Sequence, residues 1–354
     1  MRRITLQLCV RIAVVLLFTS ISAAATISGR VMNQSTGSPS YGDDVALYRV
    51  DRTMQEVQRT TSDPQGKFRF ENQRLSRYLI AVTHQGITYH TPAAVITNPV
   101  DVAVFDSVPA LQGVHVDSDT LFFETDSTSL KVTEFFVLSN QSSPPRTLSA
   151  KETYRFALPQ HASLTSVMVQ PPGTLPLRVD VSHRSSLGQF AIDYPVRPGV
   201  TKIRVVYSLP YSGELSITPR VLYPLAAMAL MIPGSMHLKE DSPGMFVYQG
   251  KHNRTSEYSR SAVSPGASVR FTLSGQARED GHAAIGSLIS RMGSIQADPG
   301  IATTPIPNHA STAPQSSLRF LGVKIIATFG SLLAVFVAFS WSATRLRAVS
   351  SLAD

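Results

Sequence analysis

Apolar and polar residues alternate with a period of two in short runs between residues 26 and 275. Phe68 and Phe70, for example, alternate with Lys67 and Arg69. This alternation predicts antiparallel strands that bury one face of each sheet. Between the runs lie turn residues such as the Asp-Pro-Gln-Gly sequence at 63–66, in which proline presets one backbone angle and glycine tolerates a positive one. Similar alternating runs occur at residues 45–50, 78–82 and 100–104.

The same pattern continues over residues 113–275 and predicts a second β-sandwich. Turns are expected near Pro171, Pro198 and Ser212, each of which begins or belongs to a glycine-containing turn sequence. The most apolar stretch, 221–233, is too short to span a membrane, so we expect a buried strand or another core segment there; an exposed partner or lipid contact is the alternative. Strands are predicted near 131–138, 153–158, 164–169, 178–182, 189–194, 201–209, 214–218, 245–247 and 268–273.

The N-terminus has the pattern of a secretory signal peptide over residues 1–25. Arg2 and Arg3 precede an apolar core, and small residues at 22–25 suit cleavage before Thr26. The apolar core is too short to cross a bilayer comfortably, which favours cleavage over an uncleaved anchor. The sequence therefore predicts that the β part is exported from the cytoplasm.

The C-terminus contains an apolar run at 321–343, and we predict one transmembrane α-helix over residues 319–343. As an α-helix, the 23 residues of this apolar run are about 35 Å long, which is enough to span the hydrocarbon core of a bilayer with some tilt. Lys324 lies near one edge, where its ammonium can reach the headgroups, and Trp341 lies near the other. Residues 344–354 would form a short cytoplasmic tail.

Residues 276–318 are dominated by alanine, glycine, serine, threonine and proline, and we predict a flexible low-complexity stalk there. Five apolar residues within it have helical spacing, which leaves open a short frayed helix or a docking helix. These five are Ile285, Leu288, Ile289, Met292 and Ile295.

Four segments of residues 26–110 appear in a characteristic order: Ile27-Ser28-Gly29-Arg30-Val31, Val45-Ala46-Leu47-Tyr48, the hairpin sequence at 61–70, and Arg77-Tyr78-Leu79-Ile80-Ala81-Val82. In this order they resemble the carboxypeptidase regulatory-like domain, a transthyretin-type β-sandwich of about seven strands. Arg77 stands where that family usually has glycine. The resemblance implies a fold and a non-catalytic module on an exported protein, and it assigns no activity.

Charge and cysteine content limit the classes of protein to which this chain can belong. The formal net charge of +8 falls to +5 when Arg2, Arg3 and Arg11 leave with the signal, and part of the remainder flanks the predicted helix. A nucleic-acid partner is therefore not expected. The single cysteine, Cys9, also lies in the signal, so the mature chain would have no disulfides, which favours a bacterial protein.

No motif in the sequence predicts a catalytic, cofactor-binding or metal-binding residue, and no cofactor is expected. His84 and His90 flank a predicted hairpin turn and could meet across the strands, but two nitrogens make a poor metal site. An acidic patch lacks the EF-hand spacing and is expected to be a solvated linker edge; it comprises Asp117, Asp119, Glu124 and Asp126. Tyr41, Tyr48, Tyr78 and Tyr89 could stack on sugars, although core or sheet-edge packing is the more usual role of strand tyrosines.

These patterns together predict a single-pass membrane protein that is mainly β, with two extracytoplasmic β-sandwich domains in tandem at 26–112 and 113–275. The body would face the periplasm from a bacterial inner membrane or lie on the cell surface. Its expected function is non-enzymatic: a binding or structural module of the cell envelope with a protein or glycan partner, or an accessory subunit of a membrane complex. The alternatives are a carbohydrate-binding protein and a hydrolase whose site is dispersed over 113–275.

Overall fold

The computed structural model describes residues 25–74, 76–94, 99–126, 128–184, 188–252 and 254–276. Within these ranges the regular secondary structure is β-strand, so the predicted mainly β fold is confirmed. No apolar helix of membrane-spanning length occurs among these residues. The predicted signal peptide up to residue 24, nearly all of the stalk, the helix at 319–343 and the tail lie outside the described residues. The described residues belong to one compact unit.

The first β region contains eight strands in two four-stranded sheets. In one sheet β1 is central, with β2 and β5 antiparallel along one edge and β8 parallel along the other. The second sheet is fully antiparallel with the order β4-β3-β6-β7. The strands are β1 (Ala25–Asn33), β2 (Ser38–Pro39), β3 (Asp44–Val50), β4 (Met54–Thr61), β5 (Lys67–Gln73), β6 (Arg77–His84), β7 (Ile87–Ala94) and β8 (Val100–Val104).

Alternating side chains of both sheets form one hydrophobic cluster between them. Phe68 and Phe70, predicted to point inward from the hairpin, are both buried, and their ring centres lie 5.8 Å apart. Gly29 is required at the centre of β1 because a Cβ atom there would overlap the carbonyl oxygen of Val100 and the ring of Phe68. This glycine therefore allows β8 to pair closely with β1.

A short strand, β9 (Ser107–Val108), follows the eight strands of the first region and pairs in parallel with β12 (Thr147–Leu148) of the second region, which contains all later strands. The others are β10 (Val114–Thr125), β11 (Ser129–Asn140), β13 (Tyr154–Ala157), β14 (Ser163–Gln170), β15 (Leu177–Arg178), β16 (Val181–Arg184), β17 (Gln189–Ile192), β18 (Gly199–Pro210), β19 (Glu214–Ile217), β20 (Leu225–Pro233), β21 (Met236–Glu240), β22 (Val247–His252), β23 (Thr255–Val263) and β24 (Phe271–Gly275).

One eight-stranded sheet dominates this region, with the order β15-β14-β18-β11-β10-β20-β23-β22. Two three-stranded sheets, β13-β17-β16 and β19-β24-β21, contribute to the same hydrophobic cluster as the large sheet. Phe156 of β13 and Phe271 of β24 are among its largest fully buried side chains. The core therefore lies on one face of the large sheet.

The apolar stretch at 221–233 is a strand for most of its length, as the sequence predicts. It forms β20, an interior strand of the large sheet, parallel to β10 and antiparallel to β23. Met228 and Leu230 are completely buried against the core. The consecutive residues Leu230, Met231 and Ile232 are all buried, so both faces of the strand are covered there, which explains why this segment is more apolar than the others.

Two sequence predictions are corrected by the structure. The single strand expected at 178–182 is two separate strands, β15 and β16, which belong to different sheets. The acidic patch expected at a solvated linker edge lies on or just after the long strand β10, and Asp119 within it is only 3% exposed. Pairing with β11 and β20 on both sides draws this segment into the centre of the sheet.

Candidate functional site

Two carboxyl side chains lie inside the hydrophobic core of the second β region. Asp119 on β10 pairs with Phe136, and Glu134 on β11 pairs with Leu121, in the antiparallel register of the two strands. Paired residues of an antiparallel ladder point to the same face, so both carboxyl groups share the core-facing side with Phe136 and Leu121. Asp119 is 3% and Glu134 5% exposed, which places a like-charged pair within an apolar interior.

The two carboxyl groups are joined by a side-chain hydrogen bond. Burial raises the pKa of Asp119 well above its usual value, and the neighbouring Glu134 raises it further. Burial also raises the pKa of Glu134, to about 7, although hydrogen bonds from Asp119 and Tyr207 oppose that shift. Asp119 therefore keeps its proton near neutral pH and donates it to Glu134, because two adjacent buried carboxylates repel each other.

A cavity of about 20 Å³ lies beside this pair. Asp119 contributes to its lining, and the Oδ1 atom of Asp119 is buried and has no hydrogen-bond partner. The volume is enough for one group of the size of a water molecule. Such a buried acceptor without a donor is uncommon in folded proteins and costs free energy.

The walls of the cavity are mainly aromatic. Tyr154 stacks on Tyr223 with ring centres 5.3 Å apart, and Phe136 lies 5.4 Å from Tyr154. The Tyr223 hydroxyl accepts a 3.1 Å hydrogen bond from the backbone N–H of Arg155, which holds the 220–225 segment against β13. Because Tyr154 and Phe136 are buried, the floor is rigidly packed and apolar apart from Asp119.

Two exposed arginines, Arg155 and Arg220, line the mouth of the cavity. Arg155 forms an ion pair with Glu152 at 3.6 Å. The cavity thus combines a carboxyl group at its floor, aromatic walls, and guanidinium groups at the solvent edge. Sequence reasoning missed this site because no local motif connects Asp119, Glu134 and the 220–225 segment; the one available signal was acidic residues within apolar strand patterns.

A second polar cluster surrounds His84 in the first β region. Its Nδ1 atom lies 2.7 Å from Asp43 Oδ1 and 3.3 Å from Ser40 Oγ, and its Nε2 atom lies 3.3 Å from Asp106 Oδ1. The Asn33 side-chain amide donates a 2.7 Å hydrogen bond to the same Asp106 oxygen. This bond, with a contribution from His84, holds the pKa of Asp106 below its usual value.

His84 and His90 do flank a hairpin turn, as the sequence predicts, but they do not meet. The register of β6 and β7 pairs His84 with Ile87 and His90 with Ala81, so the two histidines are separated along the ladder. His84 is buried and His90 is exposed. Among the described residues no group of three His, Cys, Asp or Glu side chains is arranged to hold a metal ion.

The two β regions are connected by specific side-chain contacts. The Tyr89 hydroxyl donates to the Phe105 carbonyl at 2.9 Å and lies 2.8 Å from Thr147 Oγ1 of the second region. Arg197 of the second region donates to the Thr88 carbonyl of the first at 2.7 Å. Together with the β9–β12 pair, these contacts form the inter-region junction.

The tyrosines considered for sugar stacking do not form one surface. Tyr78 and Tyr89 are buried at 3% and 5% exposure, whereas Tyr41 is 71% exposed. Tyr48 donates a hydrogen bond to Glu56 at 3.0 Å. Burial of two of the four rings in the core explains why strand tyrosines are a weak indicator of sugar binding.

Other members of the acidic patch have local structural roles. Asp117 accepts a hydrogen bond from the Ser139 hydroxyl, and Glu124 forms a 2.8 Å ion pair with Lys131. Asp126 accepts hydrogen bonds from the backbone N–H groups of Thr128 and Ser129, at 2.8 and 2.7 Å, which closes the β10–β11 turn. These carboxylates therefore do not converge on a common ligand site.

No protein-family model and no curated protein matches this sequence. Among solved structures, an M1 zinc metallopeptidase from Deinococcus radiodurans is similar at 13% identity over 48% of this chain and 44% of that chain, with a TM-score of 0.29. A variant of an M1 zinc metallopeptidase from the same organism gives 13% identity, coverages of 47% and 44%, and a TM-score of 0.28. The similarity thus spans less than half of the length of these structures.

Proposed function

We propose that this chain is a single-pass, membrane-anchored protein of the bacterial cell envelope that acts as a non-enzymatic binding or structural module. Its two β regions would be extracytoplasmic β-sandwich domains in tandem, at 26–112 and 113–275. A stalk at 276–318 would connect them to a transmembrane helix at 319–343, with residues 344–354 in the cytoplasm. The first domain would be a carboxypeptidase regulatory-like module, as its sequence resemblance implies.

One observation supports a presenting module in particular: the inter-region junction. Arg197 contacts Tyr89 of the first region and Tyr194 of its own, at 5.4 and 5.8 Å from the ring centres, and also bonds to the Thr88 carbonyl. Thr147, which completes the contact with Tyr89, is completely buried. A junction with charge-assisted and cation–π contacts holds two β regions in a defined orientation. An envelope module that presents sheet edges and loops to a partner benefits from such rigidity, because less freedom is lost on binding.

The partners of this proposed module are the lipid bilayer, through the C-terminal helix, and a protein or glycan at the envelope. Anchoring confines the search for such a partner to two dimensions. If the chain is an accessory subunit of a membrane complex, cross-linking in intact membranes followed by mass spectrometry will recover defined partner peptides, whereas a solitary anchor will give none above background.

The topology is tested by labelling introduced cysteines with a membrane-impermeant maleimide. The proposed mature chain has no cysteine of its own, so single-cysteine variants give an unambiguous signal. Leu175 is 84% exposed, and Leu175→Cys should be labelled in intact spheroplasts. Ser350→Cys in the proposed cytoplasmic tail should be labelled only after lysis, and Val205→Cys, at a fully buried position, is the matched negative control.

Equal labelling of Leu175→Cys and Ser350→Cys before lysis, or recovery of the full-length chain in the soluble cytosolic fraction, would refute the anchored topology. Protection of Leu175→Cys in spheroplasts would place the body on the wrong side of the membrane.

A hydrolase with its site in residues 113–275 is a second candidate, and one observation favours it. Asp119 and Glu134 share a proton beside a cavity, an arrangement that can serve acid–base chemistry. The small volume of the cavity argues against an extended substrate reaching that pair. Hydrolysis of a peptide, glycan or ester panel by the purified chain, abolished by Asp119→Asn, would establish this function over the first.

A further inference from the structure

We propose that the cavity beside Asp119 is a binding site for the ammonium head of a small primary amine. The observation that carries this proposal is the buried Oδ1 atom of Asp119, which has no hydrogen-bond partner and belongs to a residue that lines the cavity. The site is independent of the membrane topology proposed above.

The floor of the cavity requires a hydrogen-bond donor. Asp119 is 3% exposed and interacts with Glu134, and its Oδ1 atom is an acceptor without a hydrogen-bond partner on a side chain that lines the cavity. Leaving such an atom unpaired costs about 1–3 kcal/mol in a folded protein. An N–H group that enters the cavity would remove this cost, and the volume of about 20 Å³ matches a head group with a single heavy atom.

The charge of the site favours a cation over a neutral donor. Above about pH 7 the Asp119–Glu134 pair carries one negative charge, because Glu134 then loses its proton while Asp119 keeps its own. The groups that face the pair are the hydroxyls of Tyr207 and Tyr154, which have no positive charge. A buried anion of this kind is strongly stabilised by a cation placed next to it.

The lining favours an ammonium ion over a metal ion. Metal cations such as Ca²⁺ need six or more oxygen ligands, whereas this cavity supplies the free oxygen of Asp119 and otherwise mainly apolar and aromatic side chains. Ammonium groups are attracted to aromatic faces, and Tyr154, Phe136 and Tyr223 surround the space. An ammonium head also brings directional N–H donors that a metal ion lacks.

The arginines at the mouth do not prevent entry of a small cation. Both Arg155 and Arg220 are exposed, so solvent and salt screen their charges. Arg155 is also paired with Glu152, which neutralises part of its charge. Their position should instead favour amines whose other end is neutral or anionic, because that end would remain next to the guanidinium groups.

Binding of a cation should compete with protonation of the pair. With a Glu134 pKa of about 7, lowering the pH from about 8.5 to about 5.5 should weaken the affinity for the cation about 30-fold. Binding near pH 6.5 should accordingly release protons. A site that holds only water would show neither effect.

The test is calorimetric titration of the full-length chain in detergent with methylammonium chloride, with sodium chloride and tetramethylammonium chloride at the same ionic strength as reference salts. We expect saturable binding of methylammonium at about pH 8.5, loss of most of that affinity at about pH 5.5, and none with tetramethylammonium, which has no N–H donor and is too large. Repeating the titration in buffers of different ionisation enthalpy measures the released protons.

Variants assign the signal to the cavity. Glu134→Gln should weaken methylammonium binding at least about tenfold, because it removes the negative charge of the pair, and Asp119→Leu should do the same, because it removes the acceptor oxygen without a partner. Asp117→Leu, the same change two residues away on β10, should bind as the unaltered chain does. Circular dichroism and thermal melting of each variant establish that it is folded, and Glu134→Gln provides the result if Asp119→Leu does not fold.

The proposal is overturned if methylammonium binds no better than sodium at about pH 8.5, or if binding persists unchanged in a folded Asp119→Leu or Glu134→Gln variant. Binding of sodium equal to that of methylammonium would make the cavity a general cation site and would also contradict the ammonium assignment.

Discussion

The guanidinium group of Arg197 lies 5.4 Å from the ring centre of Tyr89, and these two residues belong to different β regions. The same guanidinium donates a 2.7 Å hydrogen bond to the carbonyl of Thr88, the residue that precedes Tyr89 on β7. On the other side it lies 5.8 Å from the ring of Tyr194. Arg197 is therefore the central contact of the junction between the two β regions.

Replacement of Arg197 by alanine should loosen this junction. We expect a loss of about 2 kcal/mol, from one charge-assisted hydrogen bond and the cation–π contacts. Calorimetry should resolve two unfolding transitions in place of one, and proteases should cut more readily near residues 109–113. Arg178→Ala, an exposed arginine on β15, is the control and should leave the melting curve unchanged. A single, unshifted transition in Arg197→Ala would show that other contacts hold the two regions together.

The carboxyl pair predicts how stability depends on pH. The pKa of Glu134 is about 7 in the folded protein and about 4.5 when the group is exposed, so the folded state holds the extra proton between these values. Stability should therefore fall as the pH rises from about 4.5 to about 7, by about 3 kcal/mol from Glu134, and the raised pKa of Asp119 acts in the same direction.

Glu134→Gln should remove this loss, so the variant gains stability relative to the unaltered protein as the pH rises. Denaturant unfolding at about pH 5 and about pH 8 measures the difference. Thr133→Val, a buried neighbour on β11 without a titrating group, should parallel the unaltered protein at both pH values. If the difference in unfolding free energy between Glu134→Gln and the unaltered protein is the same at both pH values, the two carboxyl groups do not share a proton.

The polar cluster of the first region predicts a coupling between His84 and Asp43, which lie 2.7 Å apart at Nδ1 and Oδ1. His84→Ala should cost about 2–4 kcal/mol, because it leaves the buried carboxyl of Asp43 without its partner. Adding Asp43→Asn should recover part of that loss, and chemical denaturation of the four proteins in this cycle gives the coupling free energy. His90→Ala, on the same hairpin but exposed, should cost less than about 0.5 kcal/mol. If the stability losses of the two single variants add up to the loss of the double variant, His84 does not stabilise Asp43.

Gly29→Ala should disrupt the first β region. The new methyl group would collide with the Val100 carbonyl and the Phe68 ring, and backbone cannot move aside as a flexible side chain can. We expect a loss of about 2–3 kcal/mol, measured by chemical denaturation, with weaker pairing of β1 and β8 visible as faster amide exchange. Arg30→Ala at the next, exposed position is the matched control. Wild-type stability of Gly29→Ala would show that β8 can shift away from β1.

The alternation of residues predicted most strands of the second region to within a few positions, as for β14, β18 and β19. The hairpin at 85–86 was also predictable, because a Gln-Gly pair between two alternating runs favours the positive φ angles that both residues adopt. By contrast, only the apolar middle of β10, at 121–123, has the pattern of a strand, and β21 and β23 were not predicted. The buried position of Asp119 depends on strands more than 80 residues further along, which local composition does not specify.

The sequence by itself determined that the described chain is mainly β, because period-two alternation places one face of each strand in a core regardless of which strands become neighbours. Only the tertiary structure decided which polar residues meet. His84 is separated from His90 by the hairpin register and brought instead to Asp43 and Asp106, and Asp119 is brought to Glu134 and the 220–225 segment. The physical reason is that sheet order and register are set by the packing of distant strands, and a change of one position moves a side chain to the other face.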